Sequence, residues 1–187
     1  MKNKFKLLWK NKIRFIVFIV LTIVTITTTF VVPKAQWDSA NIIERGKLVI
    51  RGDSMEPTIK NGQIVYVSDV QTERGSIVAV KSHSTLKYPN TDNPVLLKRV
   101  VGLPGETVEI IEGQTYINGE ALDEPYLKEE MLGSFGPYEV PEGSYFVMGD
   151  NRNESSDARY WENTYVKEEK ILGKAVLRLF PNPTMLH

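Results

Sequence analysis

The sequence predicts a mostly β protein: an antiparallel β barrel or sandwich over residues 46–187, carried behind one N-terminal transmembrane helix over 15–32. Three observations predict it. An uncharged apolar run of 18 residues stands near the start. From Gly46 onward, Gly, Pro and Asn turn signals recur roughly every ten residues, the spacing of short antiparallel strands. Between those turns lie short runs rich in Val, Ile, Tyr and Phe, the residues that suit a pleated, half-buried surface. At 187 residues the chain can build one moderate domain but not two large ones.

The elements follow in order. Residues 1–14 carry Lys2, Lys4, Lys6, Lys10, Lys12 and Arg14 with no acid, and read as a basic cytoplasmic tail. The run from Phe15 to Val32 has no charge, no Pro and no Gly. As a helix it would reach about 27 Å, close to the roughly 30 Å of bilayer hydrocarbon. Its five threonines dilute the hydrophobicity, but each hydroxyl can bond back to a helix carbonyl. Pro33 ends the run, and Trp37 stands where an interfacial aromatic belongs. A cleaved leader needs small residues at paired positions before the cut, and neither candidate supplies them: Pro33 precedes Ala35, and Asp38 precedes Ala40. The span is therefore read as a retained anchor and 33–45 as a juxtamembrane linker. The positive tail then fixes a single-pass cell-membrane protein, N-terminus in the cytoplasm and residues 46–187 outside it. The lipid bilayer is its first expected partner.

In the body, strands are expected near Leu48–Ile50, Gln63–Val67, Ser76–Val80, Val95–Val101, Thr107–Ile111, Gln114–Ile117, Ser144–Met148 and Gly173–Phe180. Glu112-Gly113 and Asn118-Gly119 mark a hairpin followed by a second tight turn. One helical turn is expected within Lys167–Leu172.

Charge and composition exclude several functions. The formal net charge is zero, but the tail takes six basic residues, leaving seventeen against twenty-three acids, a body of net −6. A nucleic-acid partner is not expected, because phosphate binding needs clustered Lys and Arg. The chain has no cysteine and only two histidines, His83 and His187. That removes a disulfide framework and thiolate chemistry and leaves too few donors for a histidine metal site. Neither a metal nor a cofactor is expected.

In Val49-Ile-Arg-Gly-Asp-Ser-Met-Glu-Pro-Thr-Ile59, a strand leads into Gly52, and Pro57 prevents a helix from forming over the turn. Ser54 is thus displayed on a rigid bend, a suitable place for a nucleophile, although an ordinary turn serine has the same local look. A serine hydroxyl needs a base. His83 lies in a polar segment and reads as a solvated loop residue. Lys98 lies in Val95-Leu-Leu-Lys-Arg-Val-Val101, where strand alternation puts it on one face with Leu96 and Val100, and Arg99 on the other with Leu97 and Val101. On a core face its amine would lose water and its pKa would fall, freeing a base at ordinary pH. By spacing alone, an edge-strand gatekeeper lysine stands ahead of that reading.

The company Lys98 keeps changes the order. Gly52-Asp-Ser-Met-Glu-Pro-Thr58, Leu97-Lys-Arg-Val-Val-Gly-Leu-Pro-Gly-Glu106 and Tyr145-Phe-Val-Met-Gly-Asp-Asn-Arg-Asn-Glu-Ser-Ser-Asp-Ala-Arg159 resemble the motifs of type I (leader) signal peptidases, in the family's order and behind an anchor. Asp123-Glu-Pro-Tyr-Leu127 adds to the likeness. The resemblance covers roughly residues 15–180 and is nearest the short, single-anchor Gram-positive form. It implies a signal-peptidase-like β domain and a Ser/Lys serine protease acting on the signal peptides of secretory preproteins. Residue by residue it implies Ser54 as nucleophile, Lys98 as general base and Ser155 as a hydrogen-bonding partner that orients the amine. Asp157 and Arg159 match a supporting ion pair, and Gly149 with Asp150 a tight segment beside the lysine. Ala158 stands where many members have serine. Gly52 stands where some carry a serine that helps hold the oxyanion, which leaves backbone N–H groups, chiefly that of Ser54, for that task. By position, Ile50, Met55, Ile59 and Leu96 are candidates to line shallow pockets for small substrate side chains. Two other readings are weighed: a noncatalytic membrane homologue, against which both Ser54 and Lys98 are present, and a self-cleaving repressor, which would need a DNA-binding segment and an internal Ala-Gly or Cys-Gly cleavage site that the chain lacks.

Overall fold

The computed structural model describes residues 46–69, 71–81 and 95–186. The expected tail (1–14), anchor (15–32) and linker (33–45), as well as His83 and His187, lie outside the described residues. Among the described residues no helix is long and apolar enough to cross a membrane.

In chain order the strands are β1 (Lys47–Val49), β2 (Ile64–Ser68), β3 (Ile77–Lys81), β4 (Val95–Gly102), β5 (Thr107–Ile111), β6 (Gln114–Ile117), β7 (Glu120–Ala121), β8 (Phe135–Glu139), β9 (Ser144–Met148), β10 (Val166–Lys167), β11 (Ile171–Phe180) and β12 (Thr184–Met185). They form two sheets with every ladder antiparallel. The larger has the order β1-β2-β11-β3-β4-β9-β10, with β12 on β11; the smaller has the order β7-β6-β5-β8.

The sequence dictates where each strand sits. Ile77-Val-Ala-Val80 and Tyr145-Phe-Val-Met148 are apolar at every position and buried at every position, so β3 and β9 lie inside the sheet. Between them runs β4, buried from Leu97 to Gly102. Three apolar clusters meet around it: Leu97 packs with Leu48, Ile59, Val65 and Ile77; Val100 with Val78, Val80 and Val147; Val101 with Val108, Phe146 and Met148. At the end of β4 a Cβ on Gly102 would stand 2.4 Å from Val108 Cγ2 and 3.0 Å from Phe146 Cβ. Only glycine lets the chain pass there from the large sheet into the small one.

The small sheet follows from its turns. Ile111 pairs with Gln114 across Glu112 and Gly113, whose φ angles are 50° and 88°. Ile117 pairs with Glu120 across Asn118 and Gly119, at 52° and 85°. Both are two-residue turns with positive φ at each central position, as hairpin twist requires. All eight expected strands are present within two residues of their expected bounds, and the expected helical turn is the 3-10 turn Glu168–Lys170. Four strands were not expected: the two-residue strands β7, β10 and β12, too short to show an alternation, and β8. In β8, Gly136 and Pro137 read as a turn, yet it is an edge strand, where a missing N–H breaks no second ladder.

Candidate active site

The segment carrying Ser54 is a closed loop between β1 and β2. Its base is pinned by Ile50 N–H donating to Gln63 O (2.8 Å) and Gly62 N–H donating to Ile50 O (2.9 Å). Inside it, Glu56 N–H donates to Asp53 O and Ile59 N–H to Met55 O. Met55 and Ile59 are buried and hold the loop on the core, while Gly52, at φ 93°, makes the bend that a side chain would strain. Ser54 is left half-buried at the top.

Lys98 lies on β4 just before its ladder with β9 begins, but its side chain is buried and not solvated, so the gatekeeper reading fails. Its Nζ lies 2.9 Å from Ser54 Oγ. The side chain is 3% exposed and makes no ion pair among the described residues. Burial pushes its pKa down from 10.5 to about 8; Asp157 and Asp150 pull it upward, and Arg159 presses it further down.

Three buried arginine–carboxylate pairs surround this amine. Arg99, next to it on β4, meets Asp150 through two bonds, Nε to Oδ1 (2.7 Å) and Nη2 to Oδ2 (2.6 Å), and also donates to Gly75 O. Arg159 meets Asp157 likewise, Nε to Oδ1 at 2.8 Å and Nη2 to Oδ2 at 2.9 Å, and Asp157 also accepts the Gly149 N–H. Arg152 grips Glu124 through both terminal nitrogens and donates from Nε to Gly149 O. Tyr126 donates to Glu124 and lays its ring 3.9 Å from the Arg99 guanidinium carbon. Its neighbours hold the phenol proton, with burial the largest cause and Glu124 adding to it.

Gly149 is where these pieces converge. A Cβ there would lie 2.3 Å from Ser155 Oγ and 2.4 Å from Ser54 O, so this close approach is open to glycine alone. Ser155 is buried against it, but its Oγ makes no hydrogen bond among the described residues. The bond to Lys98 that the resemblance implied is therefore not formed; the amine is turned to Ser54 instead. Asn151 ties down the serine loop, its N–H donating to Ser54 O (3.0 Å) and its Nδ2 to Asp53 O (3.1 Å).

Beside the serine and lysine opens a cleft of about 270 Å³. Ile50, Met55 and Leu96 line it as expected, together with Leu48, Val95 and Leu97. Ile59 does not: it is wholly enclosed in the core cluster beneath the loop, because the turn from Met55 to Ile59 points it inward. Arg51, Asp53, Glu154 and Ser156 make the polar rim.

The reading of residues missed Thr58, Glu124, Tyr126, Asn151 and Arg152 as parts of this site. Thr58, Asn151 and Arg152 lie within quoted motifs, but their types read equally well as surface polar residues. In the Asp123–Leu127 motif, the two-residue spacing of Glu124 and Tyr126 is the signal that a carboxylate and a phenol share a face. Among the described residues no cluster of His, Cys, Asp and Glu could hold a metal.

An antiparallel β domain that buries a lysine amine against a loop serine beside an apolar cleft has the parts of a serine hydrolase. The chain matches the family described as "Signal peptidase, peptidase S26" over residues 9–180. It is 38% identical to the probable signal peptidase I-2 of Synechocystis sp. over 72% of this chain and 62% of that one. It is 37% identical to signal peptidase I S of Bacillus subtilis over 71% of this chain and 76% of that one. A crystal structure of a signal peptidase I from Enterococcus faecalis V583 is 35% identical, with a TM-score of 0.47, covering 57% of this chain and 98% of that chain. The chain belongs to the signal peptidase family S26, a family of serine proteases.

Proposed function

We propose that this chain is a membrane-anchored serine endopeptidase that removes N-terminal signal peptides from secreted preproteins, with Ser54 as nucleophile and Lys98 as general base. One observation carries the reading: a buried, unpaired amine with a lowered pKa stands 2.9 Å from a loop serine that opens on an apolar cleft.

Uncharged Lys98 accepts the Ser54 proton as Oγ attacks the scissile carbonyl. The Ser54 backbone N–H holds the developing oxyanion. Protonated Lys98 gives its proton to the departing amine, the new N-terminus of the mature protein, and then takes one from water that frees the acyl-enzyme. The substrate adds as an extended strand. β9 pairs with β4 at Arg99, Val100 and Gly102, which leaves the edge beside Leu96 and Lys98 turned to the cleft. Ile50, Met55 and Leu96 offer shallow apolar walls that suit small side chains. Asp157–Arg159 and Gly149 support the amine from behind. The anchor over 15–32 would hold the enzyme where signal peptides arrive, raising the effective concentration of one for the other.

The test uses the purified full-length chain in detergent or lipid vesicles with a labelled preprotein. Ser54→Ala and Lys98→Ala each abolish cleavage while circular dichroism and thermal unfolding stay those of a folded protein. Wild-type processing by either variant overturns the assignment.

A further inference from the structure

We infer that Thr58 is a positioning residue of this site: its hydroxyl, held by Asp150, fixes the serine loop relative to the lysine strand and so sets the Ser54–Lys98 distance. The inference rests on the reading of Ser54 and Lys98 given above.

Ser54 and Lys98 come from segments 44 residues apart in the chain, and no ladder joins the serine loop to β4 among the described residues. Something else must set their spacing to within a few tenths of an ångström. The dipeptide Asp150-Asn151, just past the end of β9, does so from both sides. Asn151 holds the loop at its front, through the carbonyls of Asp53 and Ser54. Thr58 holds the loop at its back, donating from Oγ1 to Asp150 Oδ2 at 2.5 Å. Asp150 is itself locked by two bonds to Arg99, the neighbour of Lys98 on β4. Loop and base are thus referred to one rigid carboxylate.

The chemistry singles out Thr58 from the other tethers. Asp150 is wholly buried and already charge-paired with Arg99, so removing the Thr58 hydroxyl strands no charge and leaves the ion pair bonded. Thr58 is only half-buried, and valine keeps its shape and its methyl contacts. Loss of the hydroxyl therefore frees the rear of the loop without removing its core anchors, Met55 and Ile59. Misplacing a reacting group by a fraction of an ångström to an ångström costs about ten- to a hundredfold in rate. Thr58 is not itself part of the cleft walls, and Ile50 and Met55, which the loop supplies to them, stay held in the core cluster, so substrate binding changes less than the chemical step.

The experiment compares full-length wild type, Thr58→Val, Thr58→Ser and Ser54→Ala on one labelled preprotein, measuring kcat and KM separately beside thermal unfolding. Thr58→Val is expected to lose about tenfold or more in kcat with KM within about twofold of wild type, at an unfolding midpoint close to that of wild type. Thr58→Ser, which restores the donor, is expected to recover kcat to within about threefold. A Thr58→Val protein with unchanged kcat, a loss confined to KM, or a Thr58→Ser protein as slow as Thr58→Val overturns the inference. If Thr58→Val does not fold, Thr58→Ala replaces it under the same criteria. Ser54→Ala separates the two levels: if it still cleaves, the nucleophile reading fails; if it is inactive while Thr58→Val matches wild type, only the role of Thr58 fails.

Discussion

At Lys98, the burial that makes the amine a usable base also works against folding. The unfolded chain holds a proton on this lysine up to pH 10.5, the folded one only up to about 8. Between those values the unfolded state binds more protons, so stability climbs with pH across that window, and the penalty is full below about 8. Activity follows the same group with the same sign: cleavage needs the uncharged amine, so the rate should rise as pH passes through about 8 and then level off. A profile that instead levels off below pH 7 would remove Lys98 as the titrating base. Lys98→Met fills the same space with an apolar chain; it should abolish cleavage yet raise stability at pH 7 by on the order of 2 kcal/mol, read from urea unfolding. Stability of that variant should no longer climb between pH 8 and 10.5.

The segment that follows β7 acts on the site as a strap. Glu124 and Tyr126 reach Arg152 and Arg99, Lys128 bridges to Glu56 on the serine loop at 3.0 Å, and Asn153 bonds Glu129 and Glu130. Burial alone would raise the Glu124 pKa, but the bonds and charge of Arg152 win and hold it below the usual carboxylate value. The pair is buried on both sides, so each partner depends on the other. Glu124→Ala leaves the Arg152 guanidinium enclosed without its counter-charge and should cost about 3 kcal/mol in chemical unfolding. Replacing both together, Glu124→Leu with Arg152→Met, should cost clearly less than Glu124→Ala alone, since no charge is then stranded. A double variant less stable than the single one would contradict this.

For the whole molecule, the expectation concerns which side of a membrane the β domain occupies. The natural chain has no cysteine, so single engineered cysteines report without background. With Lys2→Cys in the basic tail and Asn61→Cys in the exposed turn before β2, a membrane-impermeant thiol reagent applied to intact cells should label only the second. Lys2→Cys should react only after lysis. Labelling of Lys2→Cys in intact cells, or protection of Asn61→Cys, would reverse the proposed orientation.

Much of this architecture was legible because β proteins announce their turns. Glu112-Gly113 fixed one hairpin to the residue and Asn118-Gly119 the tight turn after it, although the short strand β7 beyond that turn was not expected. β8 was hidden because Gly136 and Pro137 carry the chemistry of a turn, and only the knowledge that β8 has a single neighbour makes them acceptable in a strand. Ser54 and Lys98 were legible as a pair through their motifs, whereas Ile59 was misplaced because nearness to Ser54 in the sequence does not say which way a looped backbone turns a side chain.

By itself the sequence determined eight of the strands, the turns between them, the serine on its bend and a lysine among apolar residues, since these depend on neighbours a few positions away. What it could not decide was which of two adjacent cations would be left without a counter-charge. Alternation put Lys98 and Arg99 on opposite faces, yet β4 is covered on both, and each is 3% exposed. The difference is made at long range: Asp150, brought up by β9, neutralises Arg99, while Lys98 finds a serine hydroxyl instead of a carboxylate. A buried charge without a partner gives up its proton, and only the folded chain determines where the partners fall.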